Sequence, residues 1–311
     1  MEKIKPIPIG VEFYKEMIDK GYYYVDKTLL IRDLLEQKNK VTLFTRPRRF
    51  GKTLAQTMLR TFFEEEIMPD GTVADNSKYF QGKKIMGVGE EYTKYLGQYP
   101  VIFMSLKSAK QPTFEMATEK LQETLVKEYK RHRYLLDSDN ISEEDKERYH
   151  SILKMNVGLS AYATALQFLS ECLEQYHGQK VIILLDEYDV PLENAYFNGF
   201  YDEMVSFIRS LFESALKTND SLEFAVVTGC LRISRESIFT GLNNLKVVSV
   251  LDEGYAEYFG FTHEEADNFL EVYGIPDRRD EVKEWYDGYL FGNTEVYNPW
   301  SIINYVYDIV H

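Results

Sequence analysis

The chain has 311 residues, of which 44% are hydrophobic and 28% are charged, a composition typical of a globular protein. At about 150 residues per domain, this length predicts one large domain, or a large domain with a small one, whose core needs no disulfide or metal. The formal net charge of −14 opposes nucleic-acid binding by the chain as a whole, although a local basic patch could still bind a phosphate or a partner.

Cysteine and histidine usage gives no sign of a disulfide framework or a zinc site. Cys172 and Cys230 lie far apart and form no C-x-x-C pair, and the five histidines show no ligand spacing. The N-terminal residues lack the apolar core of a signal peptide, and no apolar run approaches the roughly 18 residues of a membrane helix. We therefore expect a cytoplasmic protein without a membrane span.

Short apolar runs alternate with long helical stretches, which predicts a parallel α/β sheet flanked by helices. Several runs are apolar throughout, as expected for strands that are covered on both faces. The predicted strands are Val41–Thr45, Pro100–Leu106, Val181–Leu185, Glu223–Thr228 and Lys246–Val250.

Helical periodicity occupies the segments between these strands. The predicted helices are Lys52–Glu65, Phe114–Arg133, Ala161–His177 and Tyr201–Lys217. The acidic, polar stretch Asp137–Arg148 is interpreted as a surface loop that enters a helix capped by Ser142.

The pattern changes after Val250. Two further helices are predicted, at His263–Val272 and Asp277–Tyr286, and the residues after them are rich in aromatics and turns. The sequence therefore predicts a core domain over residues 1–250 and a small, mainly helical lid over 251–311. Aromatics at this density usually bury against something, so we expect part of the lid to pack on the core and part to form an open interface.

The strongest local signal is Gly51-Lys52-Thr53, which follows the first predicted strand and opens a helix. This is the context of a Walker A loop, in which amides at a helix N-terminus point at a phosphate. Lys52 would reach the β- and γ-phosphates of a nucleotide, and the Thr53 hydroxyl would bind Mg²⁺. The alternative is a chance Gly-Lys-Thr at a helix start.

The loop before this motif is an arginine-rich variant. Arg46 stands where glycine is expected, and Pro47 has no amide to donate. Charged contacts from the arginines could replace the lost amide contacts. The predicted nucleotide contacts of the segment are Arg46, Arg48, Arg49, Phe50, Gly51, Lys52, Thr53 and Leu54.

A second element is the apolar strand that ends in Asp186 and Glu187, the pattern of a Walker B motif. In such a motif Asp186 holds Mg²⁺ through water, and Glu187 orients or deprotonates the attacking water. Carboxylates at this end of a parallel strand face the ligand crevice of an open sheet. A solvated acidic turn is the alternative, but the two motifs in order on apolar strands favour a nucleotide site. Asp189 either supports this site or starts the turn before Pro191.

A third element ends the fourth predicted strand at Thr228, where a polar residue often senses the γ-phosphate. Arg232 follows in the loop and could be a sensor, or an arginine finger for a neighbouring subunit, which would imply a homo-oligomer. The alternative for Arg232 is a plain surface arginine.

Together these segments resemble the AAA-ATPase-like proteins of bacteria and some eukaryotes, which are often fused to a C-terminal nuclease-like domain of the PD-(D/E)XK superfamily. The segments that carry the resemblance are Tyr24-Val-Asp-Lys-Thr28, Thr45-Arg-Pro-Arg-Arg-Phe-Gly-Lys-Thr53, Tyr99-Pro-Val-Ile102, Leu185-Asp-Glu-Tyr-Asp189, Thr228-Gly-Cys-Leu-Arg-Ile-Ser234, Gly241-Leu-Asn-Asn244, Phe259-Gly-Phe-Thr262, Trp285-Tyr-Asp-Gly-Tyr289 and Tyr297-Asn-Pro-Trp-Ser301. Arg46 in place of glycine is the family's own variant. The resemblance implies an AAA/ASCE-like P-loop NTPase sheet with a helical lid, ATP and Mg²⁺ as ligands, and a nuclease-like domain or a partner protein.

Two smaller patterns have competing interpretations. In Tyr24–Thr28, Asp26 or Lys27 could cover the adenine or pair with the arginine-rich loop, whereas the structural alternative is a cap by Asp26. Pro276-Asp277 followed by Glu281 and Lys283 spells a nuclease-like pattern, but the spacing is too short and the segment is helical. We assign this second match to chance.

Three functions remain open: an ATP-hydrolysing switch or motor, a regulator that binds ATP without turnover, and a phosphotransferase. Glu187 beside Asp186 favours hydrolysis, because Glu187 would serve a water rather than a substrate hydroxyl. The sequence shows no acceptor-binding motif, and its acids fit magnesium–nucleotide chemistry better than nuclease chemistry.

Overall fold

The computed structural model describes residues 4–231, 238–239, 243–286 and 288–311. A parallel sheet of five strands lies at its centre, in the order β2-β3-β4-β1-β5. The strands are β1 (Val41–Thr45), β2 (Val101–Ser105), β3 (Val181–Asp186), β4 (Leu222–Gly229) and β5 (Leu245–Val248). The predicted parallel α/β sheet is confirmed, and each strand ends within two residues of its predicted bounds.

Helices connect the strands and cover the sheet. They are α1 (Tyr14–Asp19), α2 (Leu29–Gln37), α3 (Lys52–Phe63), α4 (Glu90–Thr93), α5 (Phe114–Arg131), α6 (Glu143–Leu153), α7 (Leu159–Ala163), α8 (Ala165–His177), α9 (Val190–Asn198) and α10 (Tyr201–Leu216). The helix predicted over 161–177 is divided, because Thr164 leaves helical geometry between α7 and α8. The predicted cap of α6 is confirmed, since Ser142 Oγ accepts a hydrogen bond from Asp145 N at 3.1 Å.

The side chains of β3 alternate between two apolar clusters, one on each face of the sheet, as the period of two in a strand requires. Ile183 and Leu185 pack with residues of α5, α8 and α10. Ile182 and Leu184 pack with residues of α2 and α3. Both faces are thus buried, which explains why the strand is apolar at every position before Asp186.

The carboxyl ends of the strands meet at one edge of the sheet. Thr45 in β1 is opposite Gly229 in β4, and Ser105 in β2 is opposite Asp186 in β3. Strand β4 lies between β1 and β3, so the polar residues that follow these three strands share one crevice.

The described residues 251–286 and 288–311 combine three α-helices with a small antiparallel sheet in the order β6-β8-β7. The helices are α11 (His263–Val272), α12 (Arg279–Tyr286) and α13 (Pro299–Val310), and the strands are β6 (Phe261–Thr262), β7 (Tyr289–Phe291) and β8 (Thr294–Tyr297). Helix α11 has its predicted bounds and begins with a capping box of Thr262 and Glu265. The sequence did not predict the sheet, because strands this short show no readable alternation. Helix α13 was also not predicted, because the sequence after Tyr286 is rich in aromatics and turns.

The C-terminal residues pack against the N-terminal segment. Ile7 and Phe269 belong to one apolar cluster, and the ring centroids of Tyr23 and Phe269 lie 4.9 Å apart. Of the C-terminal aromatics, Tyr297 is buried, whereas Trp285 is 72% exposed and Trp300 is 46% exposed. None of the helices within the described ranges is long and apolar enough to cross a membrane.

Candidate functional site

The β1–α3 loop, residues 46–51, carries the predicted phosphate-binding motif. Gly51 has a φ of 78°, a left-handed conformation that lets the chain turn directly into α3. Lys52 is the first residue of that helix and is buried, and its Nζ donates hydrogen bonds to the carbonyl oxygens of Arg46 at 2.9 Å and Pro47 at 2.8 Å. The loop thus wraps around an ammonium group at a helix N-terminus, where an anion is favoured.

Thr53 and Asp186 meet across the sheet edge. Thr53 Oγ1 donates to Asp186 Oδ2 at 2.7 Å, and Thr228 Oγ1 donates to Asp186 Oδ1 at 2.5 Å. The Nε2 of Gln56 donates to the carbonyl oxygen of Val226 at 3.1 Å, which ties α3 to β4. The structure therefore brings together the two predicted metal ligands, Thr53 and Asp186, with Thr228 beside them.

The chemistry of these groups fits Mg²⁺ when nucleotide oxygens complete its shell. Magnesium in phosphate-transfer sites is held by one or two protein oxygens together with substrate phosphates and water. A hydroxyl and a carboxylate supply that number here. In the described ranges, no group of three or more His, Cys, Asp or Glu side chains could hold a metal by itself.

Glu187 follows Asp186 and combines two unusual features. Its φ is 53°, in the left-handed region that non-glycine residues rarely adopt. Burial raises the pKa of the Glu187 carboxyl, and the Asp186 carboxylate raises it further. Lys107 and Lys52 act in the opposite direction and lower this pKa. Backbone strain and a perturbed carboxyl together are typical of functional positions.

A cavity of about 400 Å³ opens beside the β1–α3 loop. One wall is residues 48–55, and Lys107 and Glu187 lie next to it. The other walls are the N-terminal residues 8–12 and 23–25 with Lys27, and the C-terminal residues Tyr258, Gly260, Phe261, Pro299, Trp300, Ile303 and Asn304. A cationic end and mainly apolar walls suit a ligand with a phosphate at one end and a flat ring at the other.

The Arg46 side chain does not line this cavity. Its guanidinium is fully buried, donates to the carbonyl oxygen of Val248 at 3.1 Å, and lies 5.3 Å and 5.0 Å from the ring centroids of Phe259 and Phe291. Burial lowers the pKa of Arg46 to about 10. The expected contact between this guanidinium and a phosphate is therefore not supported, because aromatic rings from the C-terminal residues hold it in the core.

The other two arginines of the loop do line the cavity. Arg48 Nη2 forms an exposed ion pair with Glu193 Oε2 in α9 at 2.8 Å. Arg49 has a φ of 70°, and its guanidinium lies 3.8 Å from the ring centroid of Trp300. Both charged groups are thus held at the cavity, one by a carboxylate and one by an aromatic face.

Phe50 and Leu54, the two apolar residues predicted to contact the nucleotide, differ in their placement. Both border the cavity. Phe50 is only 1% exposed, and its ring centroid lies 4.9 Å from that of Tyr289 and 5.2 Å from that of Phe291. Phe50 therefore anchors the loop on the C-terminal sheet, whereas Leu54 is partly exposed at the cavity wall.

The loop after β4 is held by residues that follow Glu187. Asp189 Oδ2 accepts hydrogen bonds from Cys230 N at 2.9 Å and from Leu231 N at 2.8 Å. The Tyr188 hydroxyl donates to the Leu231 carbonyl oxygen at 2.7 Å. The carbonyl oxygen of Asp189 also accepts hydrogen bonds from Leu192 N and Glu193 N at the start of α9, so the structure agrees with both interpretations of Asp189. Arg232, the predicted sensor or arginine finger, lies outside the described residues.

Asp26 and Lys27 have separate roles. Asp26 Oδ1 accepts hydrogen bonds from Thr28 N and Oγ1, and Asp26 Oδ2 accepts one from Lys84 N at 2.8 Å. These contacts support the interpretation of Asp26 as a structural cap rather than as a nucleotide contact. Lys27 lines the cavity and pairs with Glu265 in α11, so it ties the N-terminal wall to the C-terminal wall.

Sequence reasoning missed several residues of the site. Lys107 follows β2 at the shared strand edge, and the rule that strand ends face one crevice could have found it. Cys230 Sγ lies 3.3 Å from Lys52 Nζ, at the end of β4, where the same rule applies. The segment 8–12 carries no recognisable motif, and the motif around Trp300, Tyr297-Asn-Pro-Trp-Ser301, gave no sign of a place in the site, since both placements depend on contacts between distant parts of the chain.

Comparison with known proteins gives two matches. The family model described as "Predicted AAA-ATPase" matches residues 8–239, which include the β1–α3 loop, Asp186 at the end of β3 and Glu187 after it. The chain is 29% identical over 304 residues to the "Uncharacterized protein in vnfD 5'region" of Azotobacter chroococcum mcd 1. That match covers 96% of this chain and 51% of the relative, so the chain spans about half of the relative's length. No solved structure matches the chain.

Proposed function

Because the chain belongs to the AAA-ATPase-like family, we propose that it binds ATP with Mg²⁺ at the β1–α3 loop and hydrolyses the nucleotide. The observation that carries this proposal is the hydrogen bond of 2.7 Å between Thr53 Oγ1 and Asp186 Oδ2. It joins the first turn of α3 to the end of β3 across an intervening strand. Those are the two groups that a P-loop nucleotide site needs on its metal ion.

Different residues of the site bind the phosphates, the metal ion and the base of the nucleotide. Lys52 exchanges its hydrogen bonds to the loop carbonyls for the β- and γ-phosphates, and the amides at the start of α3 face the same anion. Thr53 and Asp186 hold Mg²⁺, which supplies positive charge to the phosphate oxygens when it is bound with the nucleotide. The apolar residues of the N-terminal wall hold the base.

Glu187 is the proposed general base. Its carboxylate accepts a proton from the water that attacks the γ-phosphate. A pKa above the ordinary glutamate value brings this group closer to neutral pH, which strengthens it as a base while it remains ionised. The left-handed backbone at Glu187 turns the side chain out of the strand and toward the cavity.

We further propose that residues 251–311 form a lid, and that nucleotide-driven movement of this lid acts on an attached domain or on a partner protein. Support comes from the cavity itself, one wall of which is formed by these residues. A nuclease-like domain is one candidate for the attached domain. Arg232 would serve as a sensor, or as an arginine finger in a homo-oligomer.

The binding proposal is tested by a melting-temperature titration with ATP, with and without Mg²⁺. At a ligand concentration of about 100 times the dissociation constant, binding stabilises the folded state by about 2.7 kcal/mol. Lys52→Ala removes most of this shift, whereas Lys154→Ala, an exposed lysine outside the cavity, retains it. A wild-type protein that shows no shift at millimolar ATP would contradict nucleotide binding.

Hydrolysis is tested by phosphate release from the same proteins. Glu187→Gln keeps the shape of the side chain and cannot accept a proton, so it binds ATP and releases no phosphate. Basal turnover is slow if an arginine finger from a partner is required, because such a residue contributes about 10³- to 10⁵-fold. Equal turnover by the wild type and Glu187→Gln rules out Glu187 as the base. ATP binding with no turnover in either protein favours the regulator that binds ATP without hydrolysis.

A further inference from the structure

Arg49 differs from the other cations of the cavity because no carboxylate or carbonyl oxygen of the described residues accepts a hydrogen bond from it. Arg48 pairs with Glu193, and Lys27 pairs with Glu265. Lys52 donates to carbonyl oxygens of its own loop. Among the described residues, the Arg49 guanidinium forms no ion pair or hydrogen bond, and its one specific contact is the indole ring of Trp300.

The geometry of that contact leaves the donors of Arg49 free. The guanidinium carbon lies 3.8 Å from the centroid of the Trp300 ring, which is stacking distance. A guanidinium stacks through its flat face, while its N–H groups point outward in the plane. Stacking therefore fixes the orientation of the group without using a single hydrogen-bond donor.

Trp300 is well placed to hold this orientation. It lies in the first turn of α13, whose cap residue Asn298 also donates to the carbonyl oxygen of Arg48 at 3.4 Å. Arg49 and Trp300 both line the cavity beside Lys52. The start of α13 thus contacts two consecutive residues of the β1–α3 loop. Asn298 contacts the backbone of Arg48, and Trp300 contacts the side chain of Arg49.

We propose that Trp300 is a positioning residue for nucleotide binding, which holds the Arg49 guanidinium with its N–H donors directed at the nucleotide phosphates. This inference rests on the proposed nucleotide site and adds to it a determinant from the C-terminal residues. An unstacked arginine on an exposed loop loses rotational freedom when it binds a phosphate, and that loss weakens binding. Because Trp300 already holds the Arg49 guanidinium in one orientation before the nucleotide binds, Arg49 loses less rotational freedom on binding.

The test compares the affinity for Mg-ATP of the wild type, Trp300→Ala, Trp300→Phe and Arg49→Ala. Loss of a preorganised side chain weakens binding about two- to tenfold, so we expect Trp300→Ala to fall in this range. Trp300→Phe retains an aromatic face and recovers most of the affinity. In an Arg49→Ala background, Trp300→Ala has no further effect, because the residue acts through Arg49.

The matched control is Trp285→Ala, which removes an exposed tryptophan outside the cavity and leaves the affinity unchanged. Far-UV circular dichroism and melting temperature show that each variant is folded. Arg49 is exposed, so Arg49→Ala tests the pair even if Trp300→Ala does not fold. A further loss on adding Trp300→Ala to Arg49→Ala overturns the positioning role.

Binding of inorganic triphosphate, which has no base, shows whether Trp300 acts on the phosphates or on the base of the nucleotide. We expect Trp300→Ala to weaken triphosphate binding by the same factor as ATP binding. Unchanged triphosphate binding would mean that Trp300 contacts the base, and tighter binding would mean that the ring competes with the anion. Either result overturns the proposal. If the wild type binds triphosphate but not ATP, the proposed function fails, and the Arg49–Trp300 pair is still tested by the triphosphate.

Discussion

At the scale of single residues, the environment of Glu187 decides how the site would work. A left-handed non-glycine residue costs on the order of 1–3 kcal/mol, and surrounding contacts must hold it in place. The hydrogen bonds from Cys230 N and Leu231 N to Asp189 hold the segment that follows Glu187. Lys107, an exposed cation at the end of β2, lowers the pKa of Glu187 against the effect of burial.

The pH dependence of hydrolysis tests this arrangement. A general base must be ionised, so phosphate release increases as the pH rises through the pKa of Glu187. Lys107→Ala removes a cation that lowers this pKa, so the pKa rises and the acid limb of the pH–rate profile moves to higher pH. Lys110→Ala, an exposed lysine outside the cavity, leaves the limb in place. Movement of the limb to lower pH in Lys107→Ala would contradict the assignment.

At the scale of elements, the β1–α3 loop is joined to the small C-terminal sheet by Phe50. The ring packs on Tyr289 and Phe291 of β7, and Arg46 lies over Phe291 from the same loop. The sequence predicted Phe50 and Arg46 as nucleotide contacts. In the structure both side chains pack on rings of the C-terminal residues, and Phe50 also borders the cavity. The β1–α3 loop and the proposed lid are therefore in direct contact.

Phe50→Ala measures this connection. Truncation of a buried phenylalanine costs about 3–5 kcal/mol, and we expect a loss of this size in the free energy of unfolding from urea titration. ATP affinity decreases as well, because the loop loses its anchor. The matched control is Phe197→Ala, which removes a ring that is 77% exposed in α9 and changes stability by about 0.5 kcal/mol or less. A small stability loss with unchanged affinity would show that the loop holds its shape without the C-terminal sheet.

At the scale of the whole molecule, a buried charge cluster joins α3, β2 and α5. Arg131 contacts the carboxylates of Glu64 and Glu128, and Glu128 Oε1 accepts a hydrogen bond from Phe103 N at 2.8 Å. Burial alone would raise the pKa of Glu128, but Arg131 and His132 outweigh burial and hold it well below its usual range. Burial lowers the pKa of His132, which therefore favours the neutral form.

The pKa values of Glu128 and His132 predict how the free energy of unfolding depends on pH. A depressed pKa in the folded state means that the unfolded chain binds more protons, so stability falls as the pH falls. The contribution of His132 decreases below its ordinary value of 6.5, and that of Glu128 decreases below 4.5. Urea titrations from about pH 7 to about pH 4 should show a falling free energy of unfolding.

Glu128→Gln tests the source of this dependence. We expect the slope of stability against pH to become flatter at the acid end, and the stability near neutral pH to fall because Arg131 loses a charged partner. Glu119→Gln, at an exposed position of the same helix, leaves the slope unchanged. An unaltered slope in Glu128→Gln would place the acid sensitivity elsewhere.

The sequence by itself determined the parallel sheet, the order of the motifs, and the meeting of Lys52, Thr53, Asp186 and Thr228 at one edge. These predictions rest on signals that are local in the chain: apolar runs of strand length, helix starts and residues at strand ends. Parallel strands bring their carboxyl ends together, so the order of residue types along the chain is enough to place the residues at those ends in one crevice.

Only the tertiary structure decided what the arginines and aromatics do. Arg46, Arg49 and Phe50 belong to the same loop but have different surroundings. Arg46 is buried among aromatic rings, Arg49 stacks on Trp300, and Phe50 packs on β7. Their partners lie in the last part of the chain, and no local pattern encodes a contact across that separation. The aromatic C-terminal residues would bury a similar apolar area whether they packed on the core, on a partner or on each other. Composition alone therefore does not predict which of these three contacts forms. In the folded chain, rings of the C-terminal residues pack closely around Arg46 and Phe50, and close packing of this kind is a property of the whole core rather than of any local segment.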